Sequence, residues 1–343
     1  MKLSVEPHAL RLARPLETSY GTVKERVILS VSLTDADGVS GYGEAAPLQA
    51  YDGVSVERVE RALEGYTSVL TSSESKNGAQ LLDACRDVDD VPAALAAIDM
   101  ALWDRAGRRA GKPVAALLTD SPAHAVPVNA TLSALDRAGA AVQAERAVAE
   151  GFRCLKVKVG IGDDAGRVAA VRAAAGAETA LRLDANGAWS VKEAVRAIEM
   201  LSPAGLELVE EPTHGLEAVR EVRERVAVRV AIDETAGEHG ALGAGVADAV
   251  CLKISRCGGI SGLIAAATLV RASDAEVYLA STLDGPLGVA AAVHAAAALA
   301  SRGSVPPCGL ATLALFEDLE NPLPAREGVI ALPTAGGLGV DPL

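Results

Sequence analysis

The sequence predicts an α/β barrel of the TIM type behind an N-terminal α+β segment, and three observations carry that prediction. From residue 126 onward, short apolar runs alternate with Ala-rich helical patterns. The runs are apolar on both faces, as parallel strands covered by helices are. Roughly seven or eight such βα units fit into about 200 residues, which suits a closed barrel better than an open sheet. The total of 343 residues leaves room for a second domain or an appendage.

The elements follow in order. Residues 26–33 (RVILSVSL) are β-branched and alternating, and a turn at 34–38 leads to a second run at 39–44, which predicts a small antiparallel sheet. Residues 56–70 are periodic, and 92–110 form a long amphipathic helix with Pro92 at its start and Gly111 just beyond its end. The barrel strands are expected at 126–130, 154–159, 180–184, 206–210, 228–233, 249–254 and 277–281. Helices at 135–150, 166–175, 191–201, 216–225 and 260–272 lie between them. No sequence repeat or low-complexity linker interrupts this rhythm.

Composition narrows the function. Lys and Arg total 32 against 45 Asp and Glu, a net charge of −13, so nucleic acid and anionic membranes are poor general partners. A local cationic pocket for a small anion is still compatible with that balance. Charge enters too early for a signal peptide, and the longest apolar runs, such as 287–299, are too short to span a bilayer. The odd set Cys85, Cys154, Cys251, Cys257 and Cys308 contains no C-x-x-C and reads as reduced, mostly buried thiols of a cytoplasmic protein. With two Phe, five Tyr and two Trp, the core must be built of Ala, Val, Leu and Ile.

The chemistry sits at the strand ends. Successive strands finish in Lys156 and Lys158, Asp184 and Asn186, Glu210 and Glu211, Asp233 and Glu234, Lys253 and Ser255, and Ser281 to Asp284. In a barrel those ends form one mouth, so these side chains should converge. Asp184, Glu210 and Asp233 make a hard oxygen cluster without His or Cys, a site for Mg²⁺ or Mn²⁺ rather than zinc. Lys156 and Lys158 share one face of their strand, and Lys253 comes from roughly across the barrel. Lysines on both sides of a metal-bound substrate point to proton transfer at a carbon beside a carboxylate. A mouth lysine could instead form a Schiff base, chemistry in which the carboxylate triad has no obvious role. His8, His124, His214, His239 and His294 fall in helices or loops and close no strand. Ser281 has no His partner in the pattern, and Gly258 and Gly259 lack the spacing of a dinucleotide fingerprint. A barrel kept only for binding is disfavoured, because unused charges at a barrel mouth are costly.

Together these motifs resemble the enolase superfamily, specifically its muconate-lactonizing-enzyme subgroup, over essentially the whole chain. Residues 97–104 (AIDMALWD) with Gly111, Lys112 and Pro113 are similar to the family's helix leading into the barrel. Residues 41–47 (GYGEAAP) are similar to its capping-domain strand and loop. Lys156 and Lys158 match its K-x-K motif, Asp184, Glu210 and Asp233 its three metal ligands, and Lys253 with Gly258 and Gly259 its second catalytic lysine. The resemblance implies a modified (β/α)₇β barrel at 126–320 and an α+β cap at 1–125, completed by a C-terminal tail at 321–343. It also implies Mg²⁺ as cofactor, Lys158 and Lys253 as the catalytic pair, and Lys156, Asn186, Ser281 and Asp284 at the substrate. Loops at 18–24 and 46–54 should close over a small carboxylate substrate, in a homo-oligomer. Within the subgroup, residues 308–312 and 206–212 are most similar to o-succinylbenzoate synthases, so a syn-dehydration through an enediolate leads. Dipeptide or N-acylamino-acid epimerases and muconate cycloisomerases are the alternatives. The Asp-x-Asp with which dipeptide epimerases bind an ammonium has no match at 307–312, and Asp318 and Glu320 are displaced from it.

Overall fold

The structure, a computed structural model, describes residues 1–18, 21–72, 76–133 and 135–343. Ser19 and Tyr20, part of the expected loop at 18–24, lie outside the described residues.

The chain opens with an antiparallel sheet of β1 (Lys2–Thr18), β2 (Gly21–Thr34) and β3 (Ser40–Ala45), in that order. The sequence predicted only β2 and β3. β1 carries Pro7 and Pro15, residues that read as breakers, yet it is an edge strand where a missing N–H is tolerated. His8, expected in a helix or loop, belongs to this strand and pairs with Ile28. After α1 (Gln49–Asp52), the helices α2 (Val56–Thr71), α3 (Gly78–Val88) and α4 (Pro92–Ala110) cover the sheet. Leu29, Val31 and Leu33 of β2 meet Val59, Leu63, Tyr66 and Leu70 of α2 and Leu95 and Ile98 of α4 in one core. Small residues set how close the layers come: a Cβ on Gly43 would lie 2.1 Å from the carbonyl oxygen of Ala97.

Next come α5 (Ala115–Leu118), β4 (Ala125–Pro127), β5 (Ala130–Leu132), α6 (Arg137–Ala149), β6 (Cys154–Lys158), α7 (Asp164–Ala175), β7 (Ala180–Asp184) and α8 (Val191–Leu201). They are followed by β8 (Leu208–Glu210), α9 (Leu216–Arg225), β9 (Arg229–Ile232), β10 (Ala249–Leu252), α10 (Ile260–Ala272), β11 (Glu276–Leu279), α11 (Pro286–Ala300) and β12 (Val329–Ala331). Strands β5 to β11 form one parallel sheet in sequence order. The expected strand at 126–130 is divided. β4 pairs antiparallel with β12 of the tail, and only β5 enters the barrel. Pro127 cannot donate to a central ladder, which separates the two pieces.

Closure comes from two residues. Cys308 bridges Val128 and Gly309 bridges Ala280, both in parallel sense. The N–H of Cys308 donates to Pro127 at 2.8 Å and that of Gly309 to Leu279 at 2.8 Å, so the curled sheet joins up as a (β/α)₇β ring. Helix α11 is buried along nearly its whole length, which its run of alanines permits. Its N-terminus receives Glu44 from β3: the N–H of Leu287 donates to Oε2 at 3.1 Å. Gly285 and Gly288 make room, since a Cβ on either would stand 2.6 Å from that carboxylate. The tail returns to α4, where Asp104 accepts from Leu338 N at 2.7 Å. The four cysteines Cys85, Cys154, Cys251 and Cys308 are buried, Cys257 is half-buried, and all five are free. Among the described residues no helix is long and apolar enough to cross a membrane.

Candidate active site

Strand register brings the site together. Lys158 is paired with Asp184 and Asp184 with Glu210, while Glu210 is opposite Ala231. Asp233 lies two residues beyond Ala231, hence on the same side one pleat higher. Each strand then turns sharply away. Asn186 (φ 43°) and Glu211 (φ 40°) occupy the left-handed region just past Asp184 and Glu210. Asn tolerates that conformation readily; Glu does not and must be held. Glu211 is held by four groups: Asp233 N at 2.8 Å, Thr235 N at 2.9 Å, Thr235 Oγ1 at 2.6 Å and His214 Nδ1 at 3.1 Å.

The charged groups alternate in sign. Lys156 Nζ stands 2.8 Å from Asp184 Oδ2 and 2.7 Å from Glu210 Oε1. Lys158 Nζ is 2.6 Å from both Asp184 Oδ2 and Asn186 Oδ1. Across the barrel, Lys253 Nζ contacts Asp233 Oδ2 at 2.5 Å and Tyr51 Oη at 2.7 Å, and lies 4.0 Å above the Tyr51 ring. Burial works against the charge of Lys156 and Lys253, but Asp184 and Glu210 beside the first and Asp233 beside the second raise both well above the ordinary lysine range. Burial likewise opposes ionisation of Asp184, yet Lys156 and Lys158 outweigh it and hold that carboxyl low. For Glu210, burial prevails with help from the charges of Asp184 and Asp233, and its carboxyl is raised. Glu234, buried next to Asp233, is pushed up to about 8 and accepts from Asn186 Nδ2 at 2.9 Å.

Lys156, Lys158, Asp184, Asn186, Asp233, Lys253 and Ser281 line one cavity of about 90 Å³. Leu16, Val23, Leu48 and Tyr51 close it from the cap side. Glu210 lies fully buried beneath it. Asp284 does not line it. Its carboxylate turns inward to accept from Thr282 Oγ1 at 2.7 Å. Sequence reasoning missed Tyr51, whose hydroxyl donates to Asp233 Oδ1 at 2.7 Å, and Arg256, which donates to Tyr51 Oη at 3.0 Å. Tyr51 was discoverable only as the one aromatic of the 46–54 loop; Arg256 gave no pattern. Tyr278 was missed too, because it ends no strand.

The donor set fits a hard divalent cation. Ligand atoms of Glu210, Asp233 and Cys251 lie within 4.8 Å of one another, and Asp184 and Glu210 already share the Lys156 ammonium between them. Burial, with the charges of Asp233 and Glu210, raises the Cys251 thiol well above its usual range, so it is the neutral member and the oxygens carry the charge.

A closed (β/α)₇β ring with acidic strand ends, lysines on both sides and a cap over the mouth defines a barrel enzyme for small substrates. The sequence model described as "Mandelate racemase / muconate lactonizing enzyme, N-terminal domain" matches residues 2–119, and "Enolase C-terminal domain-like" matches 139–343. The chain belongs to the enolase superfamily, in its muconate-lactonizing-enzyme subgroup. It is 32% identical to the L-Ala-D/L-Glu epimerase of Bacillus subtilis, over 84% of this chain and 82% of that protein. It is 30% identical to muconate cycloisomerase 1 of Rhodococcus opacus, over 96% and 92%. The dipeptide epimerase of Enterococcus faecalis, crystallised with Mg and the dipeptide L-Leu-L-Tyr, superposes with a TM-score of 0.88 at 28% identity, covering 98% of both chains. The protein is thus an enzyme related to epimerases and cycloisomerases.

Proposed function

We propose that the protein epimerises the α carbon of an N-acylated amino acid, with Lys158 and Lys253 exchanging its proton on opposite faces. One observation carries this reading. β6 and β10 are four places apart in the strand order, and the ring has eight members once residues 308–309 close it, so the two ammonium groups approach the cavity from opposite sides. A substrate whose α carbon lies between them loses a proton to the amine form of one lysine and regains one from the ammonium of the other. Asp184, Glu210 and Asp233 are the residues that would hold Mg²⁺. When bound, the cation would supply Lewis-acid stabilisation of charge on the substrate carboxylate. Tyr51 and the cap residues exclude water from this step.

The wall at Gly309, Thr312 and Leu315 carries no carboxylate, and neither Asp318 nor Glu320 lines the cavity. That supports an acylated nitrogen over a free ammonium. The dehydratase suggested by residues 308–312 gains no support from the relatives named above, which are epimerases and a cycloisomerase.

The test is ¹H NMR in D₂O with Mg²⁺, offering N-acylamino acids, dipeptides, cis,cis-muconate and the o-succinylbenzoate precursor separately. Loss of α-proton signal from N-acylamino acids is the expected result. Exchange confined to dipeptides would overturn the acyl preference, and turnover of the precursor or of muconate alone would overturn epimerisation.

A further inference from the structure

Glu210 is gripped from two directions. Lys156 takes Oε1 from the side of the mouth, and from below the hydroxyl of Tyr278 donates to Oε2 at 2.8 Å. Tyr278 is fully buried in β11, and no step of the proposed chemistry uses it. Its ring lies 4.9 Å from the guanidinium of Arg182, which is itself fully buried. Arg182 is fixed in turn: Nε and Nη2 donate to Glu207 at 2.8 and 3.0 Å, and Nη1 donates to the carbonyl of Pro307 at 2.7 Å. One planar cation thus ties β7, the residue preceding β8, the closing segment and the Tyr278 ring together.

We propose that Tyr278 is a positioning residue for Glu210, and that with Arg182 it forms a device in the barrel floor that sets the affinity for the divalent cation. This rests on the reading of Glu210 as a metal ligand. A buried carboxylate with one oxygen pinned by a neutral donor presents the other in a fixed direction, which is how groups outside the ligand sphere tune a metal site. Lys156 reaches the remaining oxygen on a flexible stem and can yield it to a metal; Tyr278 sits on a ring clamped by Arg182 and cannot follow.

The experiment is calorimetric titration of Mg²⁺ into metal-stripped wild type, Glu210→Gln, Tyr278→Phe, Arg182→Lys and Val209→Ala. The last removes packing on the outer face of β8 without touching the Glu210 carboxylate. The expected result is saturable binding to wild type and Val209→Ala, none to Glu210→Gln, and binding about 10–100-fold weaker to Tyr278→Phe. Arg182→Lys, which keeps the buried charge but loses the planar stack, weakens binding in the same direction. Absence of binding to wild type, or wild-type binding by Glu210→Gln, would overturn the metal site itself. If Glu210→Gln loses the metal while Tyr278→Phe and Arg182→Lys bind it as well as Val209→Ala does, the positioning role is overturned and the metal site stands. Should Tyr278→Phe fail to fold, Arg182→Lys against Val209→Ala gives the same decision.

Discussion

Replacing Glu44 by Gln tests how the cap is joined to the barrel. Glu44 is almost fully buried against the start of α11, with its carboxylate facing Asp284. Burial first, then the neighbouring charge of Asp284, push it from 4.5 up to about 8, despite backbone N–H groups of α11 that favour the anion. Because the folded value is raised, the native state holds a proton that the unfolded chain releases between pH 4.5 and 8. Stability therefore falls as pH rises through that window. Each tenfold in proton affinity is worth about 1.4 kcal/mol, so the window is worth on the order of 5 kcal/mol. Gln is neutral throughout and can still accept from Leu287 N. Urea unfolding of both proteins at pH 5 and pH 9 should show Glu44→Gln losing several kcal/mol less than wild type between the two. Asp284 remains in both proteins, with Arg26 close enough to lower it, and its loss of a charged neighbour in Glu44→Gln acts in the same direction. Parallel pH dependences would refute the reasoning and mean that Glu44 is ionised in the folded protein.

Three further outcomes are expected. Lys158→Ala and Lys253→Ala should each abolish racemisation, yet each should retain α-proton exchange in D₂O from only one enantiomer, the opposite one in the two variants; exchange from both enantiomers in either would contradict the assignment. His294 accepts from Ala115 N and faces the carbonyl of Leu338, each at 3.1 Å, and burial lowers it from 6.5 to about 4. Its contribution is present above pH 6.5 and is lost as pH falls toward 4, so His294→Gln should remove roughly 3 kcal/mol of the acid destabilisation measured by urea unfolding. Gly43→Ala should destabilise by about 2 kcal/mol or more, since its methyl would collide with the Ala97 carbonyl of α4; an unchanged thermal midpoint would show that the two layers can separate.

The strand ends were legible because buried parallel strands are apolar throughout, so a charge at the end of each stands out. Asp184, Glu210, Asp233 and the lysines were read that way; the register sets Lys158, Asp184 and Glu210 side by side, and Asp233 and Lys253 meet Lys158 and Asp184 at the cavity. Asp284 followed the same pattern but faces Glu44 and Thr282 rather than the cavity: one residue along a turn changes direction, and spacing does not record it. β1 was hidden because an edge strand needs neither strict alternation nor freedom from proline. α3 did carry its signal, Asn77 and Gln80 in a reciprocal cap, but its apolar face is short. Tyr278 was unreadable for another reason. It is one of several aromatic or branched residues inside a strand, and only the third dimension reveals that its hydroxyl reaches Glu210.

The seam at Cys308 and Gly309 bears on how such an enzyme changes its preference. The ring is completed by main-chain hydrogen bonds at two residues rather than by a full strand, so the joint makes few demands on side chains further along. Thr312 and Leu315, just past that joint, nevertheless face the cavity. Substitutions there should alter what the pocket admits while Asp184 and Glu210, on the opposite arc, stay in register. The architecture keeps the two jobs apart: one arc of the ring holds its charges by strand register, and the seam presents side chains that the register does not constrain.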